Sequence, residues 1–293
     1  MRGQTQAMLV VVGFAVLSMF LPPFSYLCGA AVALVTLRNG PIAGLVLIVA
    51  SGLFISMVAW FTAYTSELFG TVISLGLLIT VLWLLAVVLR QTRSLAYTLY
   101  AATTAGVLVI VLFHLAIDDP TAWWQGVLRQ FFGPAIEQSG GDTQEMYTLI
   151  DSWATHMTGF LIAAVIVNTV MCLFLGRWWQ AMLYNPGGFQ QEFHTLHLGQ
   201  GFAFTTLTVG VLAWIPMGHP QIEVQDILML MMTVYVLQGL AVIHAVFALK
   251  KLKSAWFIGV YIMVLIMSQL IAMIGFVDTW ADLRQRLAGS TAV

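Results

Sequence analysis

Long apolar runs broken by short polar clusters dominate this chain. A run of about 20 apolar residues has the length of a membrane-spanning helix, whereas barrel strands are shorter and alternate. The pattern predicts nine such runs: 7–20, 24–37, 41–60, 71–89, 95–117, 153–175, 202–217, 227–249 and 255–277. The first two are short and are expected as a tilted pair or as a hairpin that does not fully cross. The expected architecture is all-α: one polytopic transmembrane helical bundle over residues 1–293, with about 8–9 spans. Leu21-Pro22-Pro23 follows the first run without a small-residue cleavage site, so that run is expected to be retained.

Two polar stretches stand out. In the external loop 118–152, Asp119-Pro120 has the form of an N-cap followed by Pro at the first helical position. Trp123, Trp124, Val127, Leu128, Phe131 and Phe132 follow at helical spacing, which predicts an amphipathic helix lying in the interface. Gly133-Pro134 is expected to end it. Ser139-Gly140-Gly141 then forms a hinge, and Asp142 caps a second helix continuing into the span at 153–175.

The other stretch is the cytoplasmic loop 177–200. Arg177, Trp178 and Trp179 are expected at a helix end on the membrane surface, where Arg snorkels and indoles settle. Asn185, Pro186, Gly187 and Gly188 break the helix. Phe189, Phe193 and Leu196 then share one face of a short helix. Arg177 or Glu192 is expected to fix this loop through charge-assisted bonds.

Composition agrees with the apolar pattern. Hydrophobic residues make up 60% of the chain and charged residues only 8%, against roughly 25% charged in soluble domains. The formal charge of −1 argues against a nucleic-acid partner. With the N-terminus inside and nine crossings, Arg2, Arg38, Arg90, Arg93, Arg177, Lys250, Lys251 and Lys253 fall on the cytoplasmic side. These are eight of the 11 basic residues, as the positive-inside tendency requires. Among the 12 acids, only Glu192 joins them. The expected location is the inner membrane of a bacterium, multi-pass, with the C-terminus inside if the last run is re-entrant.

Candidate chemistry is sparse. No predicted span has an acid or base near its middle, which argues against a proton-coupled pump. Asn168, Gln238, His244 and Gln269 are the polar groups within spans, with His114 and His156 towards the outer ends. Interhelical hydrogen bonding is their ordinary use; lining a solute cavity between helices is the functional alternative. His194 and His197 are three apart, which makes a weak metal signal, and no cofactor or metal is expected. HExxH and Gly-Xaa-Ser-Xaa-Gly are both absent, so nothing specific marks an enzyme. Gly29, Ala30, Ala31 and Ala33 allow close helix approach, either within the bundle or against a second membrane protein. Cys28 and Cys172 are expected near opposite faces of the membrane.

The run Gly176-Arg177-Trp178-Trp179-Gln180, Leu183 to Phe189, and Glu192-Phe193 resembles the YybS-like family of uncharacterised bacterial membrane proteins. That family is grouped at a distance with the S components of energy-coupling-factor vitamin transporters. The resemblance implies a transport-related component that binds a small solute and works with another membrane subunit. The alternative is a non-transporting scaffold that binds a partner protein through its cytoplasmic loop. The sites singled out for mutation are Arg177, Asn185, Pro186, Gly187, Gly188 and Glu192.

Overall fold

The structure, a computed structural model, describes residues 4–21, 23–61, 66–138, 143–253 and 255–289. Among them there are 13 helices and no strand. In order they are α1 Gln4–Phe20, α2 Phe24–Asn39, α3 Pro41–Phe61, α4 Ser66–Thr92, α5 Leu95–Ala116, α6 Pro120–Gln138 and α7 Thr143–Ala154. There follow α8 Met157–Tyr184, α9 Gly188–His194, α10 Gly199–Ala213, α11 His219–Leu249, α12 Trp256–Ala281 and α13 Leu283–Gly289. Arg2, Pro22, the Ser139-Gly140-Gly141 hinge and the Asp142 cap lie outside the described residues.

Among the described residues four helices are long and apolar enough to cross a membrane, Leu95–Ala116, Met157–Tyr184, Pro220–Leu249 and Trp256–Ala281, or five if the bent pair Gly188–His194 and Gly199–Ala213 is one span. Shorter apolar stretches over the described residues are Thr5–Ser18, Phe24–Asn39, Pro41–Phe54 and Gly76–Thr92. The helices are those of an integral membrane protein in composition and length.

The chain forms two compact units. The first contains Met1–Ala102 and Val165–Leu196. Its central element is α2, buried from Cys28 through Leu37. Small side chains let its neighbours come close. A Cβ on Gly176 of α8 would stand 2.8 Å from the Ala30 carbonyl oxygen and the Ala33 Cβ, and one on Gly29 would stand 2.8 Å from Cys172 Sγ. The small-residue face of α2 is therefore occupied from within, by α8. Cys28 and Cys172 are not at opposite faces: the Cys172 sulfur packs on the residue that follows Cys28. Ala7, Val11, Cys28, Ala31, Val32, Val35 and Leu47 form one apolar cluster, with Trp179 packed against it. Arg90 ends the helix chemically. Its Nη1 donates to the Leu37 carbonyl, which Pro41 leaves without a helical donor, and at 3.4 Å to that of Thr36, which also accepts from the Gly40 N–H.

The second unit contains Thr103–Ala164 and His197–Val293. Here α11 and α12 cross at glycine. A Cβ on Gly239 would lie 2.0 Å from the Ile271 carbonyl oxygen, and one on Gly275 would lie 2.4 Å from that of Tyr235. Gln238 ties the crossing together. It accepts from the Leu198 N–H (2.7 Å) and donates to the Gly275 carbonyl (2.7 Å) and the Thr279 hydroxyl (3.3 Å). The α6–α7 hairpin has a small core of Leu128, Ile136, Ile150 and Ala154. Both Asp151 oxygens accept from Arg129 at 2.7 Å.

Several expected boundaries move. Helix α8 runs past Arg177 to Tyr184, because Arg177 is held by side chains and Trp179 packs inward. Helix α6 continues through Pro134 to Gln138. An interior proline costs about 3 kcal/mol; Pro134 is exposed, and Ile136 beyond it is buried in the hairpin core. The stretch expected as a link to residue 70 is already helical from Ser66. Helices α7 and α8 are not continuous: the chain turns at Thr155 and His156. Helix α11 begins at His219 and α12 runs to Ala281, so each encloses an acid, Asp226 or Asp278, that the sequence reading left outside.

Candidate functional site

Asp226 has no exposed surface. It continues the buried stripe of α11 that runs through Leu230, Val234, Leu237 and Ala241, the spacing of one helical face. Across from it, α8 presents Gly159. A Cβ there would stand 2.7 Å from Asp226 Oδ1 and 2.8 Å from the Asp226 Cα. Glycine thus allows α8 to lie directly on the backbone that carries the acid.

Two histidines face the carboxylate. His114, in the last turn of α5, places Nε2 3.8 Å from Oδ2. His156, at the turn between α7 and α8, places Nδ1 3.4 Å from Oδ1. Neither contact has the alignment of a good hydrogen bond, and both carboxylate oxygens are buried without a donor. The other His114 nitrogen is used: Nδ1 lies 3.0 Å from the Ile110 carbonyl oxygen and donates to it. The adjoining Asp226 carboxylate holds the His156 imidazole above its usual value, against the opposing effect of burial.

An aromatic group adjoins the histidines. Phe113 meets Trp123 edge-on at 5.5 Å and Trp124 at 6.0 Å, and the two indoles are 4.7 Å apart. Trp124 Nε1 donates to Thr158 Oγ1 at 2.8 Å, which fixes α6 to the start of α8. The expected N-cap at Asp119 is present, its Oδ1 accepting from the Ala122 N–H at 2.9 Å.

The residues singled out in the 177–200 stretch come together in the first unit. Arg177 Nε donates to Glu192 Oε2 at 3.0 Å, Nη2 donates to Oε1, and Nη1 donates to Gln180 Oε1 at 2.6 Å. Asn185 to Gly188 form the turn between α8 and α9. Gly187 there has φ +85°, a left-handed backbone that favours glycine. The Gly188 N–H donates to the Asn185 carbonyl at 2.9 Å. Phe189 and Phe193 stack at 6.0 Å and each meets Phe174 edge-on at 5.7 Å. This is a braced turn, with its charges neutralised inside it.

The four residues proposed to line a cavity are dispersed. Asn168 belongs to the first unit, and Gln238, His244 and Gln269 to the second. Gln238 is consumed by the α10–α11–α12 bonds, and Gln269 is exposed. His244 Nδ1 donates to the Leu240 carbonyl at 2.8 Å, and the ring stacks on Phe257 at 4.4 Å. His197 Nδ1 accepts from the Gly199 N–H, while His194 ends α9. Among the described residues no group of three His, Cys, Asp or Glu is placed to hold a metal ion.

The sequence reading passed over Asp226, although a signal was present. Stepping back by four from the apolar positions Val234 and Leu230 lands on the acid. No family model, no curated protein and no solved structure matches the chain.

Proposed function

We propose that this is a transport-related membrane component that binds a small solute, in which the polar centre at Asp226 provides the charge-sensitive part of the site. One observation carries the reading. A carboxylate with no exposed surface and no hydrogen-bond donor sits among the helices of an apolar bundle. Leaving a buried polar group unsatisfied costs roughly 1–3 kcal/mol, and more when it is charged. Ionisable groups inside membrane helices are retained chiefly at substrate and ion pathways. The likeness of the Gly176 to Phe193 run to YybS-like proteins points in the same direction.

The wider reading is a bundle of 8–9 spans in a bacterial inner membrane, with the N-terminus in the cytoplasm. Lys250, Lys251 and Lys253 follow the end of α11, and Asp226 lies near its start. By the positive-inside tendency, the Asp226 end of α11 then faces outward. Thermal stabilisation of the purified protein by members of a vitamin and metabolite panel tests solute binding. A hit lost in Asp226→Asn is expected; a panel that stabilises neither protein would remove the reading.

The scaffold reading draws support from α6, which exposes Trp123, Val127, Phe131 and Phe132 along one side. Crosslinking from Trp124 or Gln190 that recovers a distinct membrane protein would favour it over transport.

A further inference from the structure

We infer that Asp226, His156 and His114 form a proton-binding site, loaded from the exposed edge of His156 and ending at His114. The His114 Nδ1–H is committed to the Ile110 carbonyl, so a neutral His114 turns the lone pair of Nε2 towards Asp226 Oδ2. Two acceptors facing each other at 3.8 Å, one of them anionic and both buried, repel. One added proton, on Nε2 or on Oδ2, converts that contact into a donor and an acceptor. On the other side, a neutral His156 can offer Nδ1–H to Oδ1. The cluster therefore has room for one proton beyond two neutral imidazoles and a carboxylate, between His114 Nε2 and Asp226 Oδ2.

Accessibility gives the path a direction. The His156 side chain is 42% exposed, that of His114 9% and that of Asp226 0%. A proton taken from water at His156 Nε2 makes the ring cationic. The ring then releases its Nδ1 proton to Oδ1, a half-turn of the neutral carboxyl group carries the protonated oxygen round to His114, and Nε2 takes the proton from it. Each transfer moves one proton between adjacent lone pairs and no electrons. His156 resets by turning its ring outward, where Nδ1 takes a proton from water and Nε2 releases one to it.

The charged groups that meet in this cluster are His114 from α5, His156 from the α7–α8 turn and Asp226 from α11. On α6, the neutral Trp124 bonds to Thr158 at the start of α8, and Asp151 of α7 is paired with Arg129. Proton binding rests on this cluster alone. Its use to drive or gate carriage rests on the transport reading.

The test uses the full chain in lipid nanodiscs with 15N-labelled histidine, titrated by NMR between about pH 5 and 9. In the native protein His156 is expected to hold its proton roughly tenfold more tightly than it does in Asp226→Asn, a fall of about one pH unit in midpoint. Should Asp226→Asn fail to fold, Asp226→Ser serves instead, with the same His156 midpoint as readout. A His156 midpoint unchanged by Asp226→Asn overturns the inference. So does displacement of both imidazole signals by stoichiometric Zn2+ at neutral pH, which would mark a metal site. An acid pulse applied to dye-loaded proteoliposomes separates the two claims. Proton entry lost in Asp226→Asn supports both, while vesicles that stay proton-tight despite the NMR coupling overturn the transport reading alone.

Discussion

Asp226 and Asp278 are the same residue type, equally buried, on two neighbouring helices of one unit, and the structure treats them differently. Asp278, near the end of α12, receives Arg284 Nη2 at 2.7 Å on one oxygen and the Leu283 N–H at 3.0 Å on the other. Both donors come from α13, so the acid fastens the chain end back onto the helix it follows. Asp226 receives no aligned donor among the described residues. Its neighbours are two imidazoles whose charge depends on pH. A carboxylate with permanent partners is a fastener, and one faced only by histidines can change its proton. The contrast separates an acid with fixed donors from one that faces titratable rings, without any appeal to burial, which is identical.

Substitutions at the two acids can break or sharpen that comparison. Asp278→Ala is expected to have the largest effect. It strips a largely buried Arg284 of its carboxylate, a change of about 3–5 kcal/mol when a buried pair is broken. Thermal unfolding in mild detergent should show it, with release of α13 seen as new protease sensitivity after Ala281. Gly159→Ala comes next, at roughly 1–3 kcal/mol, the usual range for overpacking. Its Cβ would press on the Asp226 backbone, which has no rotamer to yield. The same assay should show a loss in the native chain that Asp226→Asn does not rescue.

Asp226→Asn itself should change stability by about 1 kcal/mol or less near neutral pH. It keeps the shape and removes a charge that has no fixed partner. A large loss at this position would make Asp226 a second fastener and dissolve the distinction. The smallest effect is a pH slope. The folded-state value of His156 is raised above its unfolded value. Its stabilising contribution is therefore fully present below the unfolded value of about 6.5 and is lost as pH rises through the raised folded value. Melting temperature should fall across that window in the native chain and lose this component in both His156→Gln and Asp226→Asn.

A similar division runs through the stretch first singled out. Arg177 and Glu192 are an acid–base pair with a third of their surface or less in solvent, and they brace one turn. Their residue types and spacing were legible, because a Pro-Gly-Gly break between two helices needs something to hold it. The helix end at Arg177 was misplaced because snorkelling and internal pairing leave the same trace in sequence. Only the contact with Glu192 distinguishes them.

The sequence alone determined the helical class and the apolar character. Both follow from local quantities: run length, periodicity, and the scarcity of charge. It also located most helix starts, the Asp119 cap and the break at Asn185 to Gly188, each of which involves residues within one or two turns of each other. Tertiary structure decided what those helices hold between them. His114, His156 and Asp226 are separated by long stretches of chain, and each taken singly is an unremarkable residue at a span end. They become one site because Gly159 admits α11 against α8 and because the chain turns at His156 instead of running straight into the membrane. Proximity between distant segments is set by packing, and packing is not encoded in any single window of sequence.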